Sequence, residues 1–169
     1  MNATLAAWNQ ADEPAAMEAM IACCGSQRWA ATMVALRPIA SVAVLSEAAD
    51  RVWNTMEESD WMQAFACHPR IGVSEAAHAT SQSAAWSHHE QSSTNTATER
   101  VLTELAECNA LYEQRFGFTY IVCATGKDAG EMLAILKRRL ASDRPAELRE
   151  AAEQQRQITQ IRLGKWLLS

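Results

Sequence analysis

The chain has 169 residues, 49% of them hydrophobic and 21% charged, with a formal charge of −5. This is the composition of a globular domain with one core and not of a disordered polymer. Twenty acidic residues oppose fifteen basic ones, and the basic ones form no run beyond Lys137, Arg138 and Arg139, which argues against a nucleic-acid surface.

No apolar stretch approaches the length of a membrane span. The opening "MNATLAAWNQADEP" lacks a basic region followed by an apolar core, so no secretory signal is expected. The five cysteines, Cys23, Cys24, Cys67, Cys108 and Cys123, are odd in number and form no C-x-x-C pair, which reads as free thiols in a reducing cytoplasm.

Helical periodicity dominates the chain. "AAMEAMIACC" (15–24) reads as a helix stopped by Gly25. "SQRWAATMVAL" (26–36) starts at a Ser26 cap and ends before Pro38. Over residues 41–56, Val42, Leu45, Ala49, Val52 and Met56 form one stripe. Ser59 and Asp60 can cap a short helix, "WMQAFAC", which His68-Pro69 ends. Residues 71–80 are small and polar and read as loop, and a helix follows over Ser83–Gln91. "TATE" (96–99) has capping-box spacing and opens a long helix to Phe116, with Leu102, Leu105, Asn109, Tyr112 and Phe116 on one face.

"FTYIVCATG" (118–126) has strand character but no partner, so an extended buried segment crossing the helices is expected. Helices over 128–141, capped by Asp128, and from Pro145 to Trp166 complete the chain. The fold class is all-α: a single compact multi-helix domain over 1–169, of roughly seven helices, with one short extended segment near 118–124.

Several residues could carry chemistry. Pro69 removes an amide and biases His68 away from helical dihedrals, while Gly72 permits a turn, so "ACHPRIG" sets an imidazole on a loop of fixed direction. Four histidines (His68, His78, His88, His89) raise the possibility of zinc. Adjacent His88 and His89 point about 100° apart on a helix and no H-x-x-x-H pair occurs, so the spacing argues against a metal. Cys67 beside His68 reads as packing, since a nucleophile and its base normally meet across a fold.

In "WSHHEQ" (86–91), Ser87 and Glu90 share a helix face, and Trp86 lies one turn from Glu90. Glu90 is then either a carboxylate desolvated by the indole or a solvated surface residue. Asn109 inside an apolar stripe needs hydrogen-bond partners, in a structural network or in orienting a loop. Arg162, one turn after Ile158, either faces an anionic ligand or extends to solvent. A histidine, a glutamate, a serine and an arginine with no cofactor fingerprint suit acid–base work on a small polar anion.

Together "HPRIG" (68–72), "WSHHEQ" (86–91), "NALYEQRFGFTYIVCATGK" (109–127) and "QITQIRL" (157–163), in that order, resemble the signature segments of the 2-oxo-4-hydroxy-4-carboxy-5-ureidoimidazoline (OHCU) decarboxylases. These enzymes form (S)-allantoin in the last step of the uricase route of urate degradation. The resemblance implies a cofactor-free, metal-free lyase with an all-helical fold, often a homodimer, acting on a small ureidoimidazoline. It implies catalytic roles for His68, Glu90 and Arg162, with Arg156 the competitor for the arginine. It implies substrate contacts at Pro69, Ser87, Gln91 and the backbone of Ile121, Val122, Cys123, Ala124 and Thr125. The terminal "WLLS" does not resemble a peroxisomal address, consistent with a cytoplasmic enzyme. Two other readings are a non-catalytic helical interaction module and a metal hydrolase using the histidine cluster.

Overall fold

The computed structural model describes residues 2–71, 80–92 and 98–169. Gly72, His78, Thr96 and most of the 71–80 loop lie outside them. The described residues contain nine helices and no strand, an all-α architecture as the periodicity implied, with more helices than the roughly seven expected. The helix missing from the sequence reading is α1 (Ala3–Gln10), capped by the Asn2 side chain, which accepts from the Leu5 amide at 3.0 Å. Its apolar side chains make no clear stripe, and only Leu5 and Trp8 are buried.

The chain divides into two compact units: residues up to Ala64 with Arg156–Ser169, and Phe65–Gln155. In the first, α2 (Glu13–Cys24) begins at the Asp12 cap and ends at Gly25, whose φ of 89° lies where only glycine is unstrained. Ser26 caps α3 (Gln27–Ala35) and Ser41 caps α4 (Val42–Trp53). Trp29 is fully buried and donates Nε1–H to the Ala49 carbonyl at 3.1 Å. Trp8 donates to the Ala16 carbonyl at 3.0 Å and meets Trp166 edge-on at 6.0 Å. Each indole thus buries a large apolar surface with its polar atom satisfied.

Three expectations are corrected here. Val42 leaves the buried stripe, because it is the first helical residue and its side chain is 42% exposed. Met56, though buried, lies beyond the end of α4. Helix α5 (Glu58–Phe65) starts before Trp61, with Asp60 in its first turn. There the Asp60 carboxylate accepts from the Glu57 amide and from Arg28, both at 3.0 Å, reaching back to the helix start.

The second unit holds α6 (Ser81–Glu90), α7 (Glu99–Phe116), α8 (Ala129–Arg139) and α9 (Arg144–Trp166) through Gln155. Thr98 caps α7, so Glu99 is its first residue and not the third of a capping box begun at Thr96. Leu105, Asn109, Tyr112 and Phe116 are buried as a stripe, whereas Leu102, one turn from the helix start, is 37% exposed. Gly117, at φ 81°, closes the helix.

Helix α7 packs on α8, and residues 118–124 run extended beside them with Phe118 and Tyr120 through Ala124 buried. Tyr112 is the centre of the aromatic packing, 4.7 Å from Phe116, 5.7 Å from Phe118 and 5.3 Å from Tyr120. Such pairs contribute about 0.5–1.5 kcal/mol each beyond burial. The predicted Asp128 cap forms a full capping box with Glu131, both bonds 2.8 Å long.

Candidate active site

His68 follows α5 by a tight turn, its amide donating to the Phe65 carbonyl at 3.0 Å. Pro69 is buried and Ile71 is 5% exposed. Between them Arg70 donates Nε and one terminal nitrogen to the Glu113 carboxylate at 2.7 and 2.5 Å. The two-pronged geometry ties this loop to α7. The half-buried His68 ring has its Nε2 2.8 Å from Oε1 of Gln155, which is fully buried on α9.

The preceding residue of α9, Gln154, serves the extended segment: its Oε1 accepts from the Cys123 amide at 2.9 Å, while its Nε2 donates to Glu150 at 3.0 Å. The Cys123 carbonyl accepts from the Lys127 ammonium at 2.8 Å. A turn closed by the Lys127 amide on the Ala124 carbonyl at 3.0 Å brings Lys127 back, with Gly126 at φ 79° in its third position. Arg139 donates to the Ile121 carbonyl at 2.6 Å and, like the Tyr112 hydroxyl, to the Glu147 carboxylate. Side chains, in place of a neighbouring strand, therefore set the backbone of 121–124.

Helix α6 opens at Thr80 and carries Ser87, 2% exposed, and Glu90, half-buried. Gln91 caps its end, its amide donating to the Ser87 carbonyl at 3.0 Å. His88 and His89 are exposed, and among the described residues no three His, Cys, Asp or Glu side chains gather in a metal-binding group.

The two candidate arginines fall in the first unit. Arg156 binds Asp50 at 2.9 Å. Arg162 is 1% exposed and lies near enough to Cys23 to act on its ionisation. Burial pushes the Cys23 thiol up to about 12, against the pull of the Arg162 charge.

Direct hydrogen bonds thus bring His68 and the Cys123 backbone to consecutive residues of α9. Ser87, Glu90 and Gln91 sit together on α6, and Arg162 belongs to the other unit. Sequence reasoning missed Gln154, Gln155, Arg139 and Glu147. The signal was present: Gln155 falls in register with the buried Leu148, Ala151, Ala152, Ile158 and Thr159 of α9, where a polar residue needs a reason.

The sequence pattern of OHCU decarboxylases matches residues 9–164. The chain belongs to the OHCU decarboxylase family. It is 39% identical over 144 residues, or 85% of its length, to the uric acid degradation bifunctional protein TTL of Arabidopsis thaliana, and spans 44% of that longer protein. A crystal structure of OHCU decarboxylase in the presence of (S)-allantoin is similar at a TM-score of 0.76 and 34% identity, over 88% of this chain and 96% of that one. A structure of (S)-allantoin synthase shares the fold at a TM-score of 0.71 and 17% identity, over 96% of this chain and 53% of that one.

Proposed function

We propose that the chain catalyses cofactor-free decarboxylation of OHCU to (S)-allantoin, the final step of the uricase route. The observation that carries the reading is an imidazole in the family's "HPRIG" segment, set by Gln155 at 2.8 Å, in a chain that the family pattern matches almost throughout.

The substrate supplies its own electron sink. One ring carbon bears both carboxylate and hydroxyl and adjoins a C=N bond. When its bond to the carboxylate breaks, CO2 leaves and the electron pair moves into the C=N, giving an enol-like intermediate. Proton delivery to one face yields a single enantiomer. An enzyme for this needs positioning and proton handling. In this reading His68 handles a proton at the hydroxyl and carboxylate centre, imidazole being suited to neutral pH. Glu90 accepts from the ring and ureido N–H groups, with Ser87 and Gln91 beside it. Arg162 neutralises ligand oxygens, and Pro69 and the backbone of 121–125 shape the pocket wall. The burial of Ser87 and Pro69 and the fixed backbone of 121–124 are consistent with these roles.

The same family reading carries a single domain, a homodimer and a cytoplasmic location. Light scattering on a size-exclusion column tests the dimer, which predicts twice the 18.6 kDa chain mass. The function is tested by generating OHCU from urate with uricase and hydroxyisourate hydrolase and following circular dichroism after this protein is added. Rapid growth of an (S)-allantoin signal, abolished in a still-helical His68→Ala variant, is the expected result. Racemic product at the spontaneous rate would overturn the proposal and favour a non-catalytic helical module.

A further inference from the structure

The contact between Gln155 Oε1 and His68 Nε2 is 2.8 Å long, and because a carboxamide oxygen can only accept, the ring form that fits it carries its proton on Nε2. In the neutral ring the lone pair then sits on Nδ1. We infer that Gln155 is a positioning residue for His68, holding the imidazole in its Nε2–H tautomer and in one plane. The consequence for turnover rests on the decarboxylase reading above.

Three observations support this. The loop backbone is already fixed without Gln155, by the Phe65 carbonyl and by the two-pronged Arg70–Glu113 pair. What those contacts leave open is the rotation of the ring and the nitrogen that carries its proton. Gln155 is also wholly buried, on a face of α9 that buries Ala151, Ala152 and Ile158 as well as Arg162. A large polar side chain there costs desolvation unless its atoms are matched, and the imidazole supplies a match. Finally, glutamine is neutral. It orients the ring without the charge by which a glutamate would favour the imidazolium.

Neighbouring Gln154 repeats the device on a different target, accepting from the Cys123 amide. Consecutive helix positions point about 100° apart, so one stretch of α9 holds the histidine loop with one side chain and the extended segment with the next.

The test uses the full-length protein, with nitrogen-15 labelling to read the histidine tautomers by long-range proton–nitrogen NMR. His68 is assigned by its loss in His68→Gln. Wild type, Gln155→Leu and Gln155→Glu are compared in these spectra and in steady-state turnover of OHCU generated in situ. The expected wild-type signal is Nε2–H. Gln155→Leu is expected to mix the tautomers and to lower kcat about tenfold or more, with KM changed less than about twofold, since proton transfer by an oriented group is at stake and substrate contact is not. Gln155→Glu keeps an acceptor in place and is expected to hold the proton on Nε2 and recover much of kcat.

An Nδ1–H wild-type ring, or unchanged tautomer and kcat in Gln155→Leu, overturns the inference. Should the leucine variant fail to fold, the wild-type and glutamate spectra still decide it. A Gln155-dependent Nε2–H signal in a protein that does not turn over OHCU supports the positioning role and overturns the decarboxylase reading instead.

Discussion

Arg139 and Glu147 meet at 2.5 Å inside the second unit, with only 5% and 1% of their side chains exposed. The Tyr112 hydroxyl donates to the same carboxylate, and Arg139 also holds the Ile121 carbonyl. Removing one partner leaves a buried charge uncompensated, at a cost of about 3–5 kcal/mol. Glu147→Leu is therefore expected to lower Tm by roughly 10 °C for a chain of this size. A paired Arg139→Met, Glu147→Leu variant should recover much of the loss, because both charges are then gone. Thermal melts of the single and double variants check this. Equal destabilisation in both would show that the pair's shape and not its charge is what matters.

The chain has two tyrosines, Tyr112 and Tyr120, and both are buried. Burial pushes both phenols well above their ordinary range, aided at Tyr112 by the bond to Glu147. Absorbance at the tyrosinate band should thus stay flat on raising the pH until the protein unfolds, and then rise in one step.

Cys23 adds to alkaline sensitivity. Below its ordinary value of 9.0 the thiol is protonated folded and unfolded, so its contribution to stability is complete. Between 9.0 and about 12 the unfolded chain gives up this proton while the folded chain keeps it, so stability falls as pH rises. Denaturant midpoints from pH 7 to 11 should decline, and less steeply in Cys23→Ala when each protein is referred to its own value at pH 7.

Asn109 is 1% exposed, and neither of its amide atoms has a hydrogen-bond partner among the described residues. The structural network expected around it is absent there. Replacement by an apolar group of similar shape removes an unmet desolvation cost of about 1–3 kcal/mol. Asn109→Leu should accordingly raise the urea midpoint. A large decrease would reveal a partner for the amide.

Under the proposed reaction, Glu90→Gln should raise KM or lower kcat for OHCU with little change in Tm, because Glu90 is half-buried at a helix end. Arg156 and Arg162 should separate cleanly. Arg156→Gln breaks a partly exposed pair with Asp50, an interaction of about 0–1 kcal/mol, and should leave KM near wild type. Arg162→Lys keeps the charge but loses the planar fork, and should raise KM. The reverse pattern would move the ligand role to Arg156.

Much of the fold was legible because helix ends are written locally. Ser26, Asp128 and Gly25 each act within one turn of themselves. Residues 118–124 were recognisable as extended and buried because aromatic and β-branched side chains crowd there with no second strand to pair. Helix α1 escaped because two buried residues make no period. The cap of α7 was misplaced because Thr96 and Thr98 offer the same chemistry two residues apart, and local spacing does not choose between them. Glutamines 154 and 155 were illegible as site residues for a different reason. Their partners, Cys123 and His68, lie 31 and 87 positions away, and no local spacing encodes such a meeting.

The backbone of 121–124 is anchored by Arg139, Gln154 and Lys127 where a sheet would use a neighbouring strand. A ladder is indifferent to side-chain identity, since main chain holds main chain. Here each anchor is a separate genetic letter, Arg139 and Gln154 standing on other elements. The direction of a single peptide group can be retuned by one codon in α8 or α9, with residues 121–124 themselves untouched. Reshaping this stretch of main chain would therefore start from the helices that hold it and not from the stretch itself.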